Sequence, residues 1–225
     1  MTTKINLFLG LTLAMYLMTG CGDGTSSKIE TDSNDSTMSA RNSDTSMDKK
    51  MNMADIKSGM MASMNPSMDK MGAMKMSGDF DKDFATMMID HHQGAIDMSE
   101  EELKAGKDDN IKAIAEKIIS SQKGEQKELG DILSSYKPMK MSMANGDQLS
   151  KLMDEMKSTM ASIKMSGNTD KDFSMMMITH HESAVKMAQA ELRHGMNSKL
   201  KSIAKKEIDD QTKEIHEFKS WLGNK

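Results

Sequence analysis

Residues Asp83–Met98 read DFATMMIDHHQGAIDM, and residues Asp172–Met187, 89 positions further on, read DFSMMMITHHESAVKM. In the first copy Phe84, Met87, Met88, His91, Ala95, Met98 and Glu102 recur at alternating steps of three and four, the period of one helix face. The match continues without a gap. Lys75-Met76-Ser77-Gly78 aligns with Lys164-Met165-Ser166-Gly167, Gly106 with Gly195, Gln122 with Gln211, Glu125 with Glu214 and Leu133 with Leu222. The part of the chain that follows residue 50 is therefore two copies of one helical unit.

Within a copy, Gly106 is suited to end the first helix and Asp108 or Asp109 to cap the next. That second helix carries Ile111, Ala115, Ile118, Gln122, Glu125, Leu129 and Ile132 on one stripe and stops before Pro138. The second copy repeats the plan, with Ser198 as the expected cap and a helix running to about Leu222. Two long αα-hairpins with short turns pack most simply as an all-α, antiparallel four-helix bundle with pseudo-twofold symmetry.

The start of the chain reads as an export leader. Lys4 precedes the apolar run Ile5 to Leu17, too short to span a bilayer, and Leu17-Met18-Thr19-Gly20-Cys21 has the form of a bacterial lipobox. Cys21 is the single cysteine, expected to carry lipid and to anchor the mature chain outside the cytoplasmic membrane. Removing residues 1–20 takes away Lys4 and no acid, so the net charge moves from −4 to −5. Charges are interspersed and aromatic residues few, which argues against a nucleic-acid partner. The expected organisation is a leader (1–20), a polar tether (21–50), a Met-rich segment (51–78), a first hairpin (79–136), a Met-rich connector (137–167) and a second hairpin (168–225).

Methionine occurs 29 times, and its placement says more than its number. None lies between Met98 and Met139 or after Met196, so the second helix of each hairpin builds its core from Ile, Leu, Phe and Trp. Residues 38–76 hold eleven methionines, and Met51/Met53, Met74/Met76 and Met139/Met141/Met143 stand at the spacing of a local chelate. Thioether sulfur is soft and uncharged; it selects Cu(I) and its analogue Ag(I), and acid does not protonate it. Such segments are expected to bind metal, and residues 22–78 to be dispensable for the fold of the bundle. Met87–His91, Met88–His92, Met176–His180 and Met177–His181 are each four apart, so sulfur and nitrogen share a helix face. Met98 and Met187 lie two turns further along, where gap-filling is the simpler role.

Adjacent histidines point about 100° apart on a helix. His91 and His180 are therefore expected to face the core, and His92 and His181 to lie at its boundary beside a neighbouring helix or solvent. If the turn centres near Lys107, His91 and His92 come level with residues 122–123. This predicts a buried polar layer of histidines with Gln122, Glu125, Gln211 and Glu214, the carboxylates orienting the rings as outer partners of a metal.

The stretch DFATMMIDHHQGAIDM, followed on the next helix by Gln122-x-x-Glu125, resembles domain of unknown function 305. The resemblance covers residues 79–136 and 168–222 and rests on HH-x-x-A-[IV]-x-M. It implies a ferritin-like helical fold and a copper-binding or copper-resistance role outside the cytoplasm, with Met and His as ligands. A protein that donates or accepts copper is a partner compatible with that role. Asp90 and Thr179 stand where many such sequences have proline. A di-iron oxidase would need Glu-x-x-His on two helices; here Glu191–His194 has the mate Glu102–Ala105. No nucleophile–base pair or phosphate loop is evident, so a binding protein is expected rather than an enzyme, with a non-metal envelope interaction module as the alternative.

Overall fold

Gly78 and Gly167 mark where each repeat begins to fold. Both have positive φ, 83° and 80°, a conformation that costs glycine nothing. The turn they allow aims two backbone N–H groups and a hydroxyl at one carboxylate. Ser77 N–H and Oγ donate to Asp83 Oδ1 at 2.8 and 2.7 Å, and Gly78 N–H to Asp83 Oδ2 at 3.1 Å. Ser166 and Gly167 make the same bonds to Asp172. The turn leads into a long helix whose first residues are capped by Asp79 in one copy and Asn168 in the other.

The computed structural model describes residues 53–138 and 143–224, with side chains from 59 to 138 and from 147 to 224. The described residues form six helices and no strand: α1 (Met53–Ala73), α2 (Phe80–Ala105), α3 (Asp109–Ser135), α4 (Met143–Ser162), α5 (Thr169–His194) and α6 (Ser198–Gly223). The leader, the Cys21 anchor, the tether and the sulfur pairs at Met51/Met53 and Met139/Met141/Met143 fall outside these described side chains. No described helix is long and apolar enough to cross a membrane.

The hairpins α2–α3 and α5–α6 pack antiparallel, and α2 lies against α5. Their relative direction follows from the contacts at the ends. Asp170, at the start of α5, accepts the N–H groups of Lys107 and Asp108 just past the end of α2, both at 2.8 Å. Asp81, at the start of α2, accepts those of Met196 and Asn197 just past the end of α5, at 2.9 and 3.0 Å. Each hairpin loop is thus held by an acid of the other hairpin, and α2 and α5 run antiparallel about a pseudo-twofold axis. The expected four-helix bundle is present, and the stripe residues from Phe84 to Glu102 and from Ile111 to Leu129 are buried in it.

Two details differ from expectation. Asn197, not Ser198, caps α6, accepting from Lys199 and Leu200 N–H; its amide oxygen reaches two free N–H groups while Ser198 is already helical. Gly106 and Gly195 leave their helices with extended, negative φ, so conformational freedom does not explain them. Space does: a Cβ there would sit 1.9 Å from Glu102 Oε1 and 2.0 Å from Glu191 Oε1.

The larger correction concerns the Met-rich segments. Helix α1 packs along α2 and α4 along α5. Met60, Met64, Met71, Met153, Met156 and Met160 are buried in the same core cluster as Phe84 and Phe173. The core is therefore shared by six helices, with α1 and α4 contributing buried methionines to it. Met, with three rotatable bonds, fills the irregular groove that the α2–α5 seam presents. The helix period is present in these segments, with Leu149, Met153, Met156 and Met160 buried at steps of four, three and four between exposed polar residues, but their methionines read in sequence as metal ligands instead of as a core face.

Candidate metal centre

His91 and His180 meet on the pseudo-twofold axis. Their ring centroids are 3.7 Å apart with 36° between planes. Both side chains are fully buried, and none of their four ring nitrogens has a hydrogen-bond partner among the described residues. Burial holds both imidazoles well below the ordinary histidine pKa of 6.5, the charges of neighbouring histidines push the same way, and the His91 backbone opposes this at His180 only in part. These rings are neutral. Gly94 makes room for the pair. A Cβ at that position would stand 3.3 Å from His180 Nε2 and 3.4 Å from Met64 Cγ, so Gly94 faces both the imidazole and a methionine of α1.

Met87, Met88, Met98, Met176, Met177 and Met187 are all buried in this core. They stand one turn before, or two turns after, the paired rings on α2 and α5. Met64 and the other buried methionines of α1 and α4 join them, which the two-hairpin reading did not anticipate.

His92 and His181 turn away from the axis, each ring more than 6 Å from its neighbour, toward α3 and α6. Neither reaches solvent. Of the two expected neighbours, the adjacent helix and not solvent receives them. His181 Nε2 lies 3.0 Å from Glu214 Oε2, and Lys117 Nζ stands 3.7 Å from the other oxygen of that carboxylate. In the first half His92 Nε2 lies 3.3 Å from Glu125 Oε2, while Lys206 Nζ stands 2.7 Å from Glu125 Oε1. His92 also has a second acid, Glu207 of α6, with Oε1 at 3.0 Å. Burial alone would lower the His92 pKa, but the two carboxylates outweigh it and raise it to about 9. Burial raises Glu207, with His92 offsetting it only in part; Glu125, against His92 and Lys206, is held below its ordinary value. Gln122 and Gln211 are buried beside this layer with side-chain oxygens unpartnered.

The predicted polar layer thus divides in two. Glu125 and Glu214 face His92 and His181, whereas the axial rings have no acid beside them. Glu207 went unread in the sequence. Its signal was there: aligned at the repeat offset, Glu207 stands opposite core residue Ile118.

A further acidic pair lies at each end of the bundle. Glu102 and Glu191 are buried on the α2 and α5 stripes, and as carboxylates neither finds a donor. Burial, with Asp170 beside Glu102 and Asp81 beside Glu191, raises both to about 9. A proton on each, donated to the neighbouring Asp, satisfies the pair. Glu191 of the lone Glu-x-x-His is thereby occupied at the end of the bundle.

A family model described as Domain of unknown function (DUF305) matches residues 25–133 and 134–222, one copy to each half. The chain belongs to this family. Two solved structures support the same fold. "CopM in the Ag-bound form" is 27% identical, covering 67% of this chain and 98% of that one with a TM-score of 0.50. "CopM in the Cu(II)-bound form" is 30% identical over 64% of this chain and 96% of that one, again with a TM-score of 0.50. No curated protein matches. The DUF305 match to each half agrees with the duplication read from the sequence and with the axis on which His91 and His180 meet.

Proposed function

We propose that this DUF305 chain binds Cu(I), and Ag(I) as its analogue, outside the cytoplasm, through thioether and imidazole ligands. One observation carries the reading: His91 and His180 are neutral, fully buried and without hydrogen-bond partners in a core crowded with methionine. An unpaired buried polar group costs about 1–3 kcal/mol, and a core of this kind gains nothing from two such rings unless something accepts their lone pairs. A soft monovalent ion does so without bringing a second charge into the apolar interior, and thioethers complete its preferred donor set. Met87, Met88, Met176 and Met177 are the nearest sulfur donors along the helices, with Met64, Met98 and Met187 as further ones. His181 with Glu214 serves as an oriented imidazole next to that set. The silver- and copper-bound forms of the similar CopM structures favour the same chemistry. The apolar leader and Cys21 favour an extracytoplasmic, lipid-anchored location, where methionine keeps its ligand character and thiols are consumed by oxidation.

The test is anaerobic Cu(I) and Ag(I) loading of the mature chain, read by native mass spectrometry and competition titration. Replacing His91 and His180 together with Gln should lower both affinity and ion count, because an amide is a poor ligand for a soft ion. The thermal midpoint should shift by only a few degrees. Unchanged metal binding in the double variant would leave the rings and methionines with packing alone and would favour the interaction-module reading.

A further inference from the structure

The two halves place the same histidine, glutamate and lysine around the outward-turned histidines but differ in one buried acid. His92 corresponds to His181, Glu125 to Glu214 and Lys206 to Lys117 at the repeat offset, and the structure pairs them alike. Glu207 corresponds to Ile118, and both are fully buried. Packing therefore does not require an acid at this position, since its mate fills the same place with a hydrocarbon. His92 Nε2 stands 3.0 and 3.3 Å from the two carboxylates, and its single N–H cannot be aimed squarely at both. A buried carboxylate is costly unless a cation meets it; protonated His92 is one such cation, and a metal ion that displaces its proton is another.

We propose that His92 Nε2, Glu125 and Glu207 form a site for a divalent first-row cation of the Zn(II) type, present in the first half of the molecule only. One ligand atom from each lies within 4.8 Å of the others. Bonds of about 2.0–2.2 Å to imidazole nitrogen and carboxylate oxygen set ligand-to-ligand edges of roughly 3.0–3.4 Å in octahedral and tetrahedral geometry. The two nitrogen–oxygen separations already fall in that range. The donor set, one nitrogen and two anionic oxygens, suits a borderline or hard divalent ion and not Cu(I). Lys206 engages the other oxygen of Glu125 and is drawn outward by Asp210 at 2.9 Å, which leaves Oε2 turned to the site. The site stands apart from the soft centre on the axis and does not depend on it.

The experiment titrates the mature chain with Zn(II) by calorimetry and with Co(II) by its visible absorption. It compares the wild type with Glu207→Ile, which copies the opposite half, and with Ile118→Glu, which gives His181 and Glu214 the missing acid. The wild type should bind one Zn(II) that Glu207→Ile weakens on the order of 100-fold, while the Ag(I) count stays unchanged. Ile118→Glu should gain a second Zn(II). Ions held by the exposed surface appear equally in all three proteins and cancel. Zn(II) affinity that is the same in the wild type and a helical, folded Glu207→Ile overturns the proposal. So does a parallel loss of Ag(I), which would merge the cluster with the soft centre. If Ile118→Glu loses its helical signal, the Glu207→Ile comparison alone decides.

Discussion

Replacing Glu102 and Glu191 with Gln should make the protein less sensitive to alkali. In the fold both carboxyls are raised from 4.5 to about 9 by burial and by Asp170 and Asp81. Between those limits the folded chain holds two protons that the unfolded chain has released. Stability therefore falls as pH rises through that window: the contribution is fully present below about 4.5 and is lost by about 9. One such group changes stability by up to about 1.4 kcal/mol per pH unit, and two by up to about 2.7 kcal/mol. Gln has nearly the same shape and keeps an N–H to donate to each Asp, so it imitates the protonated acid at every pH. Urea unfolding followed by circular dichroism, at steps from mildly acidic to mildly alkaline pH, gives the slope directly. The wild type should lose at least ~2 kcal/mol more than the double variant between neutral pH and pH about 9. His92, also raised to about 9, adds to both slopes and cancels in the difference. Equal slopes would mean that Glu102 and Glu191 are ionised in the fold, and the argument for shared protons would fail.

Gly106→Ala should destabilise by roughly 1–3 kcal/mol, since the new Cβ meets the Glu102 backbone oxygen as well as its buried carboxyl, and Gly195→Ala should cost less because only the end of the Glu191 side chain must shift; an unchanged urea midpoint for Gly106→Ala would contradict this. Met64→Ala should cost about 2–5 kcal/mol as a core truncation, measured the same way, whereas a loss under 0.5 kcal/mol would return α1 to the status of an appendage.

The architecture was legible because the hairpins obey simple periods. The stripe through Phe84, His91 and Met98 predicts α2, and its repeat predicts α5 together with their shared axis. Glu125 and Glu214 were found beside the histidine level because both partners lie in one hairpin, where the turn at Lys107 fixes the register. Glu207 was not, since it reaches His92 from the other hairpin, and sequence spacing says nothing about which helices of two units become neighbours. Glu102 was read as a stripe residue for the same reason: its partner Asp170 belongs to the other unit. The docking of α1 and α4 was hidden by composition. Methionine serves both as a core residue and as a soft ligand, so the buried stripe of Met60, Met64 and Met71 reads either way in sequence, and only its packing decides.

The mutual hold of the loops bears on how such a molecule can diverge. Were one hairpin unit to pair with a second copy of itself, the axis through His91 and His180 would be a true twofold, and any substitution would appear on both sides at once. A buried acid introduced beside one outward histidine would then be introduced beside both, doubling its burden on the fold. Joining the two units in a single polypeptide lifts that constraint. One side can keep Ile118 and remain a plain hydrocarbon wall while the other carries Glu207, so tandem fusion allows a second, different polar site beside one histidine without repeating it beside the other.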